Sequence, residues 1–224
     1  MQQEQMKLPD NIPIFPLNLV LFPNMEINLH IFEDRYKDMV DFCIKNNCPV
    51  GIMLIKSGQE VGEYAIPYNI GTAGYINDNI RNTDGTIDIL ITGKAKFEIK
   101  KLTYNQPYLS ANIQQSLPSI YRPGTKLLDQ LKGSVEQMQQ VITKASGGWM
   151  KKVNTKEDPY LLTLQAINLL LENFSLPNTV KQNMLENQEV NTQIETLLPI
   201  LDESIKLLNT EVQKNYPYSG FSKN

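Results

Sequence analysis

One histidine, His30, and two cysteines, Cys43 and Cys48, are all that this 224-residue chain holds of the imidazole and thiol groups on which much enzyme chemistry depends. A structural zinc site takes about four Cys or His ligands, so three such residues fall short of one. Ser-His-Asp or Cys-His catalysis could draw only on His30 for its imidazole. The patterns GxxxxGK[ST], GxGxxG and GxSxG are also missing, which removes the usual seats for nucleotide phosphates and for an esterase nucleophile. A Ser-Lys dyad or a carboxylate pair stays open, because those residues are common and no spacing singles one out.

Basic excess is lacking too. With a net charge of −3 the chain is a poor match for a phosphate backbone, which needs a basic face. No apolar run approaches the roughly 18 residues of a membrane-spanning helix, and "MQQEQMKLPD" has neither the basic start nor the apolar middle of a secretory signal. A cytoplasmic protein is expected. Its thiols are expected to be reduced, since a bridge between Cys43 and Cys48 would close a short loop and constrain the unfolded chain little.

What is present divides in two. From Ile12 to about Gln115, short β-runs alternate with Gly, Pro, Asn and Asp. Pro13, Pro16 and Pro23 puncture the first runs, which suits edge strands or barrel corners. Gly71 and Gly74 in "YNIGTAGYIN" suggest a bulge or a close backbone approach. Asp84-Gly85 predicts a type I′ hairpin turn. In "GKAKFEIKK" charged and apolar residues alternate, so its lysines are expected on the wet face of a strand. One helix interrupts this half: Tyr36, Met39, Val40, Cys43 and Ile44 form a single apolar stripe that Asn46-Asn47 ends. Beyond Gln115 the pattern is helical. Leu127, Leu128, Leu131, Val135, Met138, Val141 and Ile142 trace one face, Asp158-Pro159 opens the next helix, and Pro199 leaves open one kinked helix or two. The fold class is therefore α+β, with a β-rich lobe over residues 8–117, a helical bundle over 118–213 and a flexible tail over 214–224.

Two places gather functional side chains. "FPNMEINLHIFEDRY" holds His30, Glu33 and Arg35 at a strand-to-helix corner, where an imidazole bonded to backbone groups and a local ion pair explain them more simply than catalysis does. Trp149 and Met150 follow two glycines, and an aromatic beside a flexible thioether suits an adaptable apolar binding surface; plugging a gap between the two lobes is the competing role.

"IPIFPLNLVLFPNMEINLHIFEDRYKDMV" closely resembles the opening of the Lon protease N-terminal domain family. Pro16, Pro23, Leu29, Ile31, Phe32, Glu33, Arg35 and Tyr36 occupy its motif positions, with His30 inside the motif. "GTAGYI" with Gly71 and Gly74, "DGTIDILITGKAKFEI" with Gly93, and "PYLSANI" extend the likeness, whereas Asn24 stands where the family often has glycine. In the helical half only "KQNMLEN" is similar. The resemblance implies a PUA-like β-barrel lobe joined to a helical bundle, with those motif residues in structural roles. It implies recognition of unfolded or tagged polypeptides, cooperation with a protease or chaperone, and weak self-association. Because the separate ATPase and Ser-Lys peptidase domains of the family's proteases have no counterpart here, a stand-alone, non-enzymatic form is expected, without cofactor or metal and without membrane or nucleic-acid partners. The alternatives are a PUA-like small-molecule or RNA binder and a hydrolase built on His30.

Overall fold

The computed structural model describes residues 7–62, 65–117, 124–145 and 154–215. In chain order the elements are β1 (Asn11–Leu17), β2 (Glu26–Ile31), α1 (Asp34–Asn46), β3 (Val50–Ser57), β4 (Ile66–Pro67), β5 (Ile70–Arg81), β6 (Ile87–Thr103), β7 (Leu109–Gln115), α2 (Thr125–Ala145), α3 (Pro159–Asn173), α4 (Asn178–Glu186) and α5 (Val190–Asn215). The chain is α+β, and it forms two compact units: Met1–Leu117 with Pro177–Gln188, and Pro118–Leu176 with Glu189–Asn224.

In the first unit β1 pairs antiparallel with β7 over Asn11–Ile14 and parallel with β3 over Ile14–Leu17. This change of partner at Ile14 closes the path β1-β7-β6-β5-β3 into a barrel, with β2 added to β6 and β4 to β3. It also explains how Pro13 and Pro16 fit: each lies in a half of β1 that is ladder-paired on one side, so its missing N–H can face the other side. An edge position, one of the two the prolines suggested, is not where β1 lies. Ile12 and Ile14 bury into one core cluster with Met53, Phe97 and Leu109, while Phe15 and Leu17 bury into a second with the α1 stripe.

The long β6 passes from one set of partners to another. Its first part, Ile87–Thr92, lies between β2 and β5; Phe97 and Glu98 lie between β5 and β7, and from Ile99 on the ladder continues with β7. Gly93 sits at the change. Its N–H bonds the carbonyl of Met25 and its carbonyl accepts from the N–H of Asn24, both at 2.9 Å. A Cβ there would stand 2.4 Å from the carbonyl oxygen of Phe22, so only glycine admits the turn of Pro23 and Asn24. Asn24 itself has φ +67, a conformation Asn tolerates better than most residues. The expected bulge in β5 is there, with register shifts at Ala73/Gly74 and at Ile76/Asp78.

Two local expectations are corrected. The β5–β6 hairpin is not type I′: Gly85 has φ +83 but Asp84 does not share the positive φ that type requires. Instead the N–H of Gly85 bonds the carbonyl of Asn82 and the N–H of Asn82 bonds the carbonyl of Thr86, a turn with its glycine at the fourth position. In α1, Tyr36, Met39, Val40 and Cys43 are buried, but Ile44 is 41% exposed at the margin of the stripe. Asn47, with φ +47, ends the helix as expected.

In the second unit α2 buries Leu131, Val135, Met138 and Val141, and packs with α5 and α3. Asp158 Oδ1 accepts the N–H of Leu161 at 2.9 Å and Pro159 takes the first turn of α3, as the sequence predicts. α5 is one helix through Pro199. That proline is exposed on the helix, as is Glu195, whose carbonyl it leaves without an in-helix donor. α4 groups with the barrel although the sequence reading placed it within the 118–213 lobe: Gln182 Nε2 bonds the carbonyl of Ile70 at 3.0 Å, and Asn178 Nδ2 bonds that of Asn18.

Candidate functional site

The strand-to-helix corner holds most of the motif residues. Glu33 stands at the N-terminal boundary of α1 without a side-chain capping bond, and its Oε2 takes the Arg35 guanidinium at 3.0 Å and the N–H of Gly62 at 3.3 Å. Arg35 stacks 4.5 Å over the ring of Tyr36, which lies 4.2 Å from the ring of Phe15. Pro16 is buried in β1, Pro23 in the turn against Gly93, and Gly71 where a Cβ would meet the carbonyl oxygen of Ile52 at 2.6 Å. These side chains hold the corner in place, whereas Phe32 between them points outward, 53% exposed.

His30 departs from its expected role. It bonds no backbone group at the corner; its Nδ1 lies 2.7 Å from Oδ1 of Asp88 on β6. Asn82 Nδ2 donates to the other carboxylate oxygen at 2.8 Å. The Asn82 bond, and then the His30 bond, hold the Asp88 carboxyl below the usual carboxylate range. The N–H and hydroxyl of Thr86 do the same for Asp84.

This pair lies in an open cleft of about 370 Å³ on the outer face of the β2-β6-β5 ladder. Register explains it: His30, Asp88 and Ile80 stand abreast across the three strands, and Asn28, Leu90 and Asp78 form the next row. Ile80 is 60% exposed there. Among the described residues β2 pairs with β6 alone, so the Glu26–Ile31 edge offers unpaired backbone beside the cleft. None of the lining residues bears a hydroxyl or thiol. Among the described residues no three His, Cys, Asp or Glu gather to hold a metal, and no helix is long and apolar enough to cross a membrane. Trp149 and Met150 lie outside the described residues, as do 216–224 of the expected tail.

Sequence reasoning missed Asp78, Ile80, Asn82 and Asp88. A signal was available in "TIDILITG", where Asp88 breaks an apolar strand at the position that faces His30. Lys96 was misjudged: it is not on a wet face but 3% exposed, its Nζ donating to the carbonyls of Leu185 at 3.2 Å and Asn187 at 3.0 Å. The end of α4 covers that part of β6, which the alternating pattern of the strand cannot reveal.

A family model described as the ATP-dependent protease La (LON) substrate-binding domain matches residues 11–203. The Lon protease of Buchnera aphidicola subsp. Baizongia pistaciae is 24% identical over 212 residues, covering 89% of this chain and 26% of that protein. Among solved structures, a Lon N-terminal domain protein from Xanthomonas campestris superposes with a TM-score of 0.62 at 20% identity, covering 84% of this chain and 97% of that one. The N-terminal domain of the Mycobacterium avium complex Lon protease gives a TM-score of 0.64 at 13% identity, covering 86% and 98%. The chain thus spans about a quarter of the length of the curated relatives it matches.

Proposed function

Because the chain belongs to the family of the ATP-dependent protease La (LON) substrate-binding domain, we propose that it is a non-enzymatic recognition module that binds unfolded or tagged polypeptide segments rich in apolar residues. In this reading it acts as an adaptor, holding such segments for a protease or chaperone. The observation that carries it is the family match over residues 11–203. The cleft supports a place for the contact. A segment lying across the cleft would set its side chains against Ile80, Leu90 and the polar groups of His30, Asp78 and Asp88, and its end would continue the ladder by main-chain hydrogen bonds at the Glu26–Ile31 edge, two strand spacings, about 10 Å, from Ile80. Trp149 and Met150 are proposed as a second contact, on the apolar and adaptable character of that pair.

Trp149 is the one tryptophan, so its emission reports on that segment directly. Titrating the full chain with an unfolded polypeptide that lacks tryptophan is expected to change the emission saturably, and Trp149→Phe with Met150→Ala to weaken retention of casein on the immobilised protein. Unchanged emission together with no retention would count against the reading. Retention without a change in emission would leave the sheet cleft as the contact and remove Trp149 from it.

A further inference from the structure

We propose that Cys43 and Cys48 form a dithiol that a hydroperoxide converts, reversibly, into an intramolecular disulfide at the C-terminus of α1. The sulfurs lie 3.7 Å apart, although the residues stand five positions apart in the chain. The helix terminus brings them together. The N–H of Cys48 bonds the carbonyl of Cys43 at 3.0 Å and the N–H of Asn47 bonds that of Ile44 at 3.3 Å, while Asn47 adopts φ +47. This is the paired-bond termination in which the residue after the left-handed position folds back onto the last turn, and an apolar contact commonly fills the space between the two. Here two thiols fill it. Both sulfurs belong to the packing around α1, Cys43 buried within the cluster and Cys48 partly buried against it. For a bond to form the sulfurs must close from 3.7 Å to about 2 Å.

The two sulfurs differ in a way that orders the chemistry. Cys43 is 2% exposed, whereas Cys48 is only partly covered. The hydrogen bond between the two sulfurs, and then burial, pushes Cys43 up; the same bond lowers Cys48 from the ordinary thiol range, against its own partial burial. Cys48 is thus the attacking thiolate. Its sulfur takes the distal oxygen of the hydroperoxide, the O–O bond breaks, and the leaving alkoxide or hydroxide picks up a proton to become alcohol or water. Cys48 is then a sulfenic acid. The sulfur of Cys43 displaces the hydroxyl of that sulfenic acid, the S–S bond forms, and the displaced hydroxide leaves with the Cys43 proton as water. Two thiols and one hydroperoxide give one disulfide, one alcohol or water, and one further water. The bond would tie the end of α1 to the chain entering β3, whether or not the protein binds polypeptides.

The test treats the reduced full chain with one equivalent of hydrogen peroxide, unfolds it, alkylates it without reductant and weighs it. The expected product is lighter by two hydrogens, carries no alkyl group, and recovers both sites after dithiothreitol. Cys43→Ser should stop at a Cys48 sulfenic acid that dimedone captures, and Cys48→Ser should be oxidised at least roughly tenfold more slowly than Cys43→Ser. Two alkylated cysteines after peroxide, a disulfide between two chains, or equal rates in the two variants would overturn the proposal.

Discussion

Lys96 brings an ammonium group to a place where water cannot reach it. Burial lowers it to about 8 from the ordinary 10.5, even though the carbonyls of Leu185 and Asn187 favour its charged form. The sign of the consequence follows from proton binding. Between about 8 and 10.5 the unfolded chain holds the Lys96 proton more often than the folded chain does, so stability rises with pH through that window; below about 8 the burial penalty is fully present. Lys96→Met removes this titration. The stability of the wild type relative to Lys96→Met, from urea melts, should therefore climb by roughly 1–3 kcal/mol on going from about pH 7.5 to about pH 10. A flat difference would mean that the ammonium is solvated. His30 presents the opposite situation. Its bond to Asp88 is exposed, so His30→Gln should change the urea midpoint by less than about 1 kcal/mol equivalent; a loss of several times that would show the pair to be a structural clamp. The chain pattern could not separate these two residues, because a lysine in an alternating strand and a histidine at a corner both become interpretable only when the element packed against them is known.

Elements were legible wherever their ends carry their own chemistry. Asp158-Pro159 announces the start of α3 through a side-chain acceptor and a preset φ, and the structure places both where they are expected. Asp158→Ala should cost about 1 kcal/mol, read as an earlier thermal loss of helical circular dichroism; an unchanged curve would mean that α3 is held by packing alone. Asn47 likewise ends α1. Legibility failed where an element depends on partners outside its own signature residues. The type I′ expectation took Asp84-Gly85 by itself, yet the turn is set by Asn82 bonding across to Thr86 and Gly85. Pro13 and Pro16 pointed away from a doubly paired strand, and only the change of partner at Ile14 shows how β1 accepts them. Gly93 is the clearest dependence of this kind. Gly93→Ala pushes a methyl group to within 2.4 Å of the Phe22 carbonyl and should cost roughly 1–3 kcal/mol or more by urea denaturation, because backbone has to move. A cost near zero would mean that the turn yields freely.

The molecule as a whole puts the motif residues to structural use and leaves the proposed recognition cleft to others. Glu33, Arg35, Tyr36 and Gly93, which carry the resemblance in sequence, pack at the corner and at the β6 crossing. The cleft beside them is built from Asn28, Asp78, Ile80 and Leu90, residues that no motif singles out and that strand register alone assembles. A recognition surface of this type needs an open face, a few apolar contacts and free backbone, and those leave a faint trace in sequence. The most direct test is fluorescence anisotropy of a labelled unfolded casein titrated with the full chain and with Ile80→Asp. Ile80 is exposed, so the variant should fold normally while placing a charge in the cleft. The account predicts saturable binding by the wild type and about a tenfold weaker affinity, roughly 1.4 kcal/mol, for Ile80→Asp. Absence of saturable binding by the folded wild type up to roughly 100 μM, a ceiling of about 5 kcal/mol in affinity, would contradict it.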